Sequence, residues 1–140
     1  MANTILDVNL GNDADYTFTL IPAGSEVDVR IKAVYTGEDK NDPNIKTLRV
    51  VYEAIDDPDA QDIGAFPIVI PVAANYSDRK AFATIRDRFK AWADCFSVDF
   101  SMGLNPEAIK GLTGRVLVEV VDDPQRGRVN QVKRYLVGQR

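Results

Sequence analysis

The chain of 140 residues contains no histidine and a single cysteine, Cys95. The absence of histidine removes the commonest general base and the commonest zinc ligand in proteins. A lone cysteine cannot form a disulfide within the chain, and such a chain suits a reducing compartment. We therefore expect a cytoplasmic protein without a structural disulfide.

Long apolar runs are missing as well. No stretch approaches the roughly 18 apolar residues that a membrane span requires, so we expect no membrane association. The first ten residues lack the basic start and the apolar centre of a signal peptide. A hydrophobic content of 45% and a charged content of 27% are typical of one soluble globular domain. We assign residues 1–15, which are polar and acidic, to a loosely ordered arm and residues 16–140 to the domain.

Motifs of catalysis are also absent. No serine lies in a Gly-x-Ser-x-Gly turn, no glycine pattern forms a phosphate loop, and Cys95 has no histidine to activate it. One segment has clustered carboxylates, which can attract hard cations. It lacks the glycine and the distal glutamate of an EF-hand loop, so we interpret it as a solvated acidic turn. These carboxylates belong to Asp56, Asp57, Asp59 and Asp62. We expect a protein that is not an enzyme, with no metal and no cofactor.

Charge is distributed unevenly along the chain. Residues 1–66 contain 5 basic and 13 acidic side chains, whereas residues 124–140 contain 5 basic side chains and no acidic one. The formal net charge of the whole chain is −4. Scattered surface charges are explained by solvation alone and indicate no ligand. A local basic strip, however, can bind a phosphate chain even on an acidic protein.

One segment, residues 77–95, is strongly helical in pattern. Its apolar residues recur three or four positions apart, which places them on one side of a helix that must be buried. Ser77 is the predicted N-cap. The opposite face is rich in arginine and lysine, which serves solubility or extends a nucleic-acid path. The apolar stripe consists of Phe82, Ile85, Phe89, Trp92, Ala93 and Phe96.

The remainder of the domain has the alternation of β-strands. Residues 26–35 carry an apolar face, and residues 45–55 carry another that includes Tyr52, a predicted core residue. Pro67 and Pro71 cannot donate ladder hydrogen bonds, so their strand should lie at a sheet edge, and pairing of such edges would produce a homodimer. The inner face of the strand at residues 26–35 is predicted to consist of Val27, Val29, Ile31 and Ala33. The predicted strands are residues 16–21, 26–35, 45–55, 63–72, 114–121 and 128–137, the last two forming a hairpin.

From residue 26 onward, three strands, a helix and a final hairpin follow the order of the OB-fold, a five-stranded Greek-key barrel. Particular residues support this order: LIPAG at 20–24 before the first barrel strand, GLTGR at 111–115 before the fourth, and RVNQVKRY at 128–135 in the last. Over residues 16–137 the chain resembles small bacteriophage OB-fold proteins that are similar to single-stranded DNA-binding proteins. The resemblance implies single-stranded DNA as ligand, phage replication or recombination as the process, and proteins of that process as partners. Such proteins often end in an acidic tail that recruits partners, whereas this chain ends in Gly138-Gln139-Arg140, so recruitment through the C-terminus is not implied.

The OB-fold also implies where an oligonucleotide would lie. It crosses the face of strands two and three, flanked by the loop between strands one and two and the loop between strands four and five. Cations in this groove would neutralise phosphates while an exposed aromatic ring stacks on a base. The residues assigned to the groove are Lys40, Lys46, Arg49, Phe66, Arg126, Arg128, Lys133 and Tyr135.

Some of these assignments have competing interpretations. Phe66 would share a strand face with Ile68 and Ile70, which favours a core position over a stacking platform. Tyr135 would share the face of Lys133 in a regular strand, and both a core and a surface position stay open. The weak alternation of the last strand leaves open which of Lys133 and Arg134 faces outward. The alternative function is an OB-fold adaptor or virion component whose acidic first half contacts a basic protein partner.

Overall fold

A computed structural model describes residues 4–137 of the protein. These residues form five β-strands and one long α-helix. The strands are β1 (Glu26–Glu38), β2 (Lys46–Ala54), β3 (Ile68–Val69), β4 (Thr113–Asp123) and β5 (Gly127–Leu136). The α-helices are α1 (Arg79–Phe96) and the single turn α2 (Pro106–Ile109), and two short 3₁₀ helices lie at Asp13–Asp15 and Ala73–Asn75. The prediction of a mainly β protein with a helix between its third and fourth strands is confirmed. The first three residues of the predicted arm and the C-terminal Gly138-Gln139-Arg140 lie outside the described residues.

The strands form one curled antiparallel sheet in the order β3-β2-β1-β4-β5. Its two ends approach each other where Gly64, just before β3, pairs in parallel with Gln131 of β5. Gly64 N–H donates to the Asn130 carbonyl at 3.1 Å, and Val132 N–H donates to the Gly64 carbonyl at 2.8 Å. The sheet is therefore a half-barrel whose ends are linked at Gly64.

A β-bulge in β1 changes which of its residues face the core. The register with β2 shifts between Ile31 and Ala33, so Lys32 is the extra residue of the bulge. Beyond the bulge Val34 packs against the core, and the prediction that Ala33 continues the inner face is wrong. Unbroken alternation cannot continue across an inserted residue.

The core lies between the concave face of the sheet and α1. The four inward residues of β2 are buried as their alternation predicts, and Tyr52 stacks on Phe96 of α1 with ring centroids 5.3 Å apart. The predicted helical stripe is buried in its C-terminal half, at Phe89, Trp92, Ala93 and Phe96. None of the helices within residues 4–137 is both long enough and apolar enough to traverse a lipid bilayer.

The last turn of α1 lies directly against β4. A Cβ atom at Gly114 would stand 2.9 Å from both the carbonyl oxygen and the sulfur of Cys95, closer than real Cβ contacts. This close contact explains why the second glycine of the GLTGR segment, Gly114, cannot carry a side chain. The first, Gly111, has a φ of +89°, which glycine adopts without strain.

Element ends differ from the predictions in three places. The N-cap of α1 is Asp78 instead of Ser77, and its carboxylate accepts the Lys80 N–H at 2.9 Å. The predicted third strand shortens to Ile68–Val69 because Pro67 and Pro71 interrupt the ladder on either side. The predicted strand at residues 16–21 contributes a single bridge, from Thr19 to Ala60.

A buried asparagine fixes the segment that precedes β1. Asn130 on β5 is only 2% exposed. Its Oδ1 accepts the Ile21 N–H at 2.8 Å, and its Nδ2 donates to the Ile21 carbonyl at 2.8 Å. The side chain thus pairs with Ile21 as a neighbouring strand would.

Candidate nucleic-acid interface

Two grooves adjoin where the ends of the sheet meet. The helix groove, of about 610 Å³, lies between α1, residues 65–69 and residues 132–135 of β5. The hairpin groove, of about 270 Å³, lies between β2, the turn at residues 122–126 and the start of β5. Ala65 lines both, so a linear ligand could run from one groove into the other.

Phe66 is the most accessible ring of the helix groove. Its side chain is 75% exposed, whereas Ile68, two residues later, is buried. Residues 65–67 are not part of a strand, since Pro67 interrupts the ladder, and strand alternation therefore does not apply to them. The interpretation that favoured a core position for Phe66 is wrong.

A bulge in β5 places two successive cations on the surface. Val132 and Arg134 pair with consecutive residues of β4, which leaves Lys133 as the extra residue. Val132 is buried, whereas Lys133 and Arg134 are both exposed. The sequence left open which of the two side chains faces outward, and the bulge places both of them on the surface. Their side chains line the helix groove.

Tyr135 presents its ring to the groove and its hydroxyl to the core. Its Oη lies 3.0 Å from Tyr52 Oη, which accepts the Trp92 Nε1–H at 3.1 Å. Burial is the main cause that raises the pKa of Tyr135 to about 12, and burial likewise raises the pKa of Tyr52 well above its ordinary value. The hydroxyl of Tyr135 is therefore engaged within the core, and the half-buried ring is the part that lines the groove.

The helix groove is cationic. Its lining consists of apolar and aromatic side chains together with Arg88, Lys133 and Arg134. Among residues 4–137, no carboxylate forms a salt bridge with any of these three cations. An anion can therefore bind them without displacing a carboxylate of the described residues. Arg88 was not assigned to the site, although it belongs to the basic helix face that the sequence indicated.

The hairpin groove has mixed charge. Arg49 and Arg126 both line it, as expected from their assignment to one OB-fold groove. Three carboxylates line it too, those of Asp62, Asp122 and Asp123. Arg126 Nη2 lies 3.6 Å from Asp123 Oδ2. Backbone N–H groups of Gln125 and Arg126 also donate to Asp123 and lower the pKa of that carboxyl. A phosphate here must compete with Asp123, although an exposed pair of this kind is weak.

Arg128 lines a neighbouring depression of about 450 Å³ together with Arg126 and Phe18. Phe18 is 49% exposed and was not assigned to the site. Lys32 also lines this depression, and its Nζ donates to Asp62 at 2.8 Å, a bond that raises the lysine pKa. The depression offers a second aromatic ring beside arginine side chains.

Another exposed ring lies beside Arg49. Tyr35 pairs directly with Arg49 across β1 and β2, and directly opposed residues of antiparallel strands share a face. The ring is 58% exposed. The bulge at Lys32 turns Tyr35 outward, so an unbroken alternation could not identify it as a neighbour of Arg49.

Lys40 and Lys46, which the OB-fold prediction assigned to the binding groove, line neither the helix groove nor the hairpin groove. Lys40 is exposed in the loop between β1 and β2. Lys46 lines a separate depression with Leu104 and Pro106. Its Nζ donates to Glu38 at 2.8 Å and to the Pro43 carbonyl at 3.0 Å. The pockets that contain the other six assigned residues do not include these two lysines.

The comparisons with known proteins do not identify a family. No protein-family model matches the chain, and no curated protein matches its sequence. Within residues 4–137, no group of three or more histidine, cysteine, aspartate or glutamate side chains could hold a metal ion. The geometry of the grooves is therefore the basis for the functional proposal.

Proposed function

We propose that the protein binds single-stranded DNA without strong sequence preference, and that it is an OB-fold binding protein and not an enzyme. One observation carries the proposal: the exposed ring of Phe66 lies in a groove with Arg88, Lys133 and Arg134, which have no carboxylate partner among residues 4–137. Stacking rings combined with unpaired cations are the means by which single-strand binders hold bases and phosphates.

In this proposal a base stacks on Phe66 while flanking phosphates contact Lys133 and Arg134. Stacking on an aromatic side chain contributes about 1–3 kcal/mol per base and tolerates any sequence, because every base has a π-face. Bases within a duplex are already stacked on each other, so a duplex gains little from the ring. The strand would continue past Ala65 towards Arg49 in the hairpin groove.

The strand order and the link between Gly64 and Gln131 support an OB barrel, in which a helix between strands three and four covers one end. The resemblance of residues 16–137 to phage OB-fold proteins supports a role in phage DNA replication or recombination. Proteins of those processes would then be its partners, and the host-cell cytoplasm its location.

A double charge reversal in the helix groove tests the proposal. We expect Lys133→Glu/Arg134→Glu to weaken binding to labelled poly-dT roughly tenfold or more, because two phosphate contacts become repulsive. The matched control is Arg79→Glu/Lys80→Glu, which makes the same charge change at two exposed positions at the start of α1. Both variants should retain the wild-type melting temperature. Equal binding by the two double variants, measured by fluorescence anisotropy, would contradict the proposed groove.

A second candidate function is a protein-interaction module, an adaptor or virion component without nucleic-acid binding. The observation that favours it is the apolar surface of the N-terminal arm, where Ile5, Leu6, Val8 and Leu10 are each 78–87% exposed. Absence of nucleic-acid binding by the wild type, together with association with a protein, would favour this module.

A further inference from the structure

The N-terminal arm, residues 4–10, has the pattern of a strand without a sheet. Leu6, Val8 and Leu10 alternate with the polar Asp7 and Asn9, so in an extended chain the three apolar side chains share one face. That face is exposed to solvent. An extended segment with one apolar face is the form that binds to a sheet edge or an apolar groove.

A defined turn connects the arm to the domain. Asn12 Oδ1 accepts the Ala14 N–H at 3.1 Å, and Thr17 Oγ1 donates to the Asp13 carbonyl at 2.8 Å. Gly11 has a φ of +72°, and a Cβ there would lie 2.5 Å from the Tyr16 ring. The turn therefore has its own hydrogen bonds and packing, and the arm beyond it extends into solvent.

The helix groove has the shape and charge that this arm requires. It lies between the two outer strands of the sheet, β3 and β5, with Ile85 and Phe89 of α1 among its apolar lining. Its charged lining residues are all cations, whereas the only charged residue among residues 4–10 is Asp7. The apolar face of the arm matches the apolar lining, and the negative charge of Asp7 matches the cations.

We infer that residues 4–10 of one copy of this chain dock as an extended strand in the helix groove of a second copy. Leu6, Val8 and Leu10 would contact the apolar lining, and Asp7, on the other face of the strand, would lie near the exposed cations Lys133 and Arg134. Reciprocal exchange of the two arms closes a symmetric dimer. This inference does not depend on the proposed function, although a docked arm would cover Phe66 and compete with an oligonucleotide.

Sedimentation velocity of the full chain, without DNA, tests the inference. We expect a concentration-dependent dimer for the wild type, and for Leu6→Ser/Val8→Ser/Leu10→Ser a dissociation constant raised tenfold or more. The matched control is Ile5→Ser, on the other face of the arm, which should dimerise as the wild type does. At concentrations low enough for each to be monomeric, all three proteins should melt at the same temperature, because these side chains are exposed in the single chain. A monomeric wild type, or a triple variant that dimerises equally well, would overturn the inference.

Disulfide trapping separates exchange between copies from docking within one chain. In a Cys95→Ser background, in which the hydroxyl can keep the hydrogen bond to the Arg115 carbonyl, Val8→Cys is mixed with Ile85→Cys and oxidised. We expect a covalent dimer that contains one chain of each variant. Absence of this mixed dimer, with a cross-link forming only inside a Val8→Cys/Ile85→Cys double variant, would place the arm in its own groove and overturn the exchange.

Discussion

At the scale of single residues, buried polar side chains connect parts of the chain that are distant in sequence. Asn130 pairs with both backbone groups of Ile21, and the hydroxyls of Tyr52 and Tyr135 connect α1, β2 and β5 through Trp92. Each of these groups would be costly to bury without its partner. The sequence does not reveal these pairs, because an isolated asparagine in a strand carries no signal for its partner.

Asn130→Ala should lower the free energy of unfolding by about 1–3 kcal/mol, because the Ile21 N–H and carbonyl lose their buried partners. Urea denaturation gives the comparison, with Gln125→Ala in the exposed hairpin turn as the control. A variant as stable as the control would show that water replaces the asparagine at no cost.

The tyrosine pair predicts a loss of stability at alkaline pH. The pKa of Tyr135 is raised from 10 to about 12 in the folded protein. Above pH 10 the unfolded chain therefore releases the Tyr135 proton while the folded chain retains it, so the free energy of unfolding falls as pH rises towards 12. Tyr135→Phe removes this contribution and should show a shallower decline in denaturant titrations over the same pH range. Parallel declines in the two proteins would contradict the assignment.

At the scale of elements, regular patterns predicted the structure well and irregular ones did not. The helical stripe and the alternation of β2 depend on local periodicity, which the burial of one face enforces. The short β3 and the bulges at Lys32 and Lys133 depend on contacts between distant strands, which no local pattern contains. The site follows the same division. Strand order predicts that Arg49 and Arg126 share a groove. The exposure of Phe66 could not be predicted in this way, because it arises where Pro67 interrupts the β-ladder.

The start of α1 gives a test at this scale. Asp78→Ala should destabilise the protein by about 1 kcal/mol, because its carboxylate accepts the Lys80 N–H of the first turn. Ser77→Ala, one residue earlier, should have almost no effect, since Ser77 is not the cap. Thermal and urea denaturation of the two variants measure the difference. A larger loss in Ser77→Ala would mean that the helix begins one residue earlier.

At the scale of the whole molecule, the net charge of −4 conceals a cationic groove on an acidic protein. Long-range attraction to DNA should therefore be modest, and short-range contacts in the helix groove should provide the binding. Those contacts release counterions from the phosphate chain, so affinity must depend on salt. In the proposed dimer the arm contributes to the same balance, because its Asp7 would compete with phosphates for these cations.

The most direct test of the central claim is a titration of labelled poly-dT, followed by fluorescence anisotropy at low and moderate salt. An oligonucleotide of about 30 nucleotides exceeds the footprint of one OB domain, and unlabelled duplex of equal length serves as competitor. The account predicts binding that weakens roughly tenfold or more between about 50 and 200 mM salt and that duplex does not displace. Flat anisotropy at low salt, or an affinity that salt leaves unchanged, would contradict it.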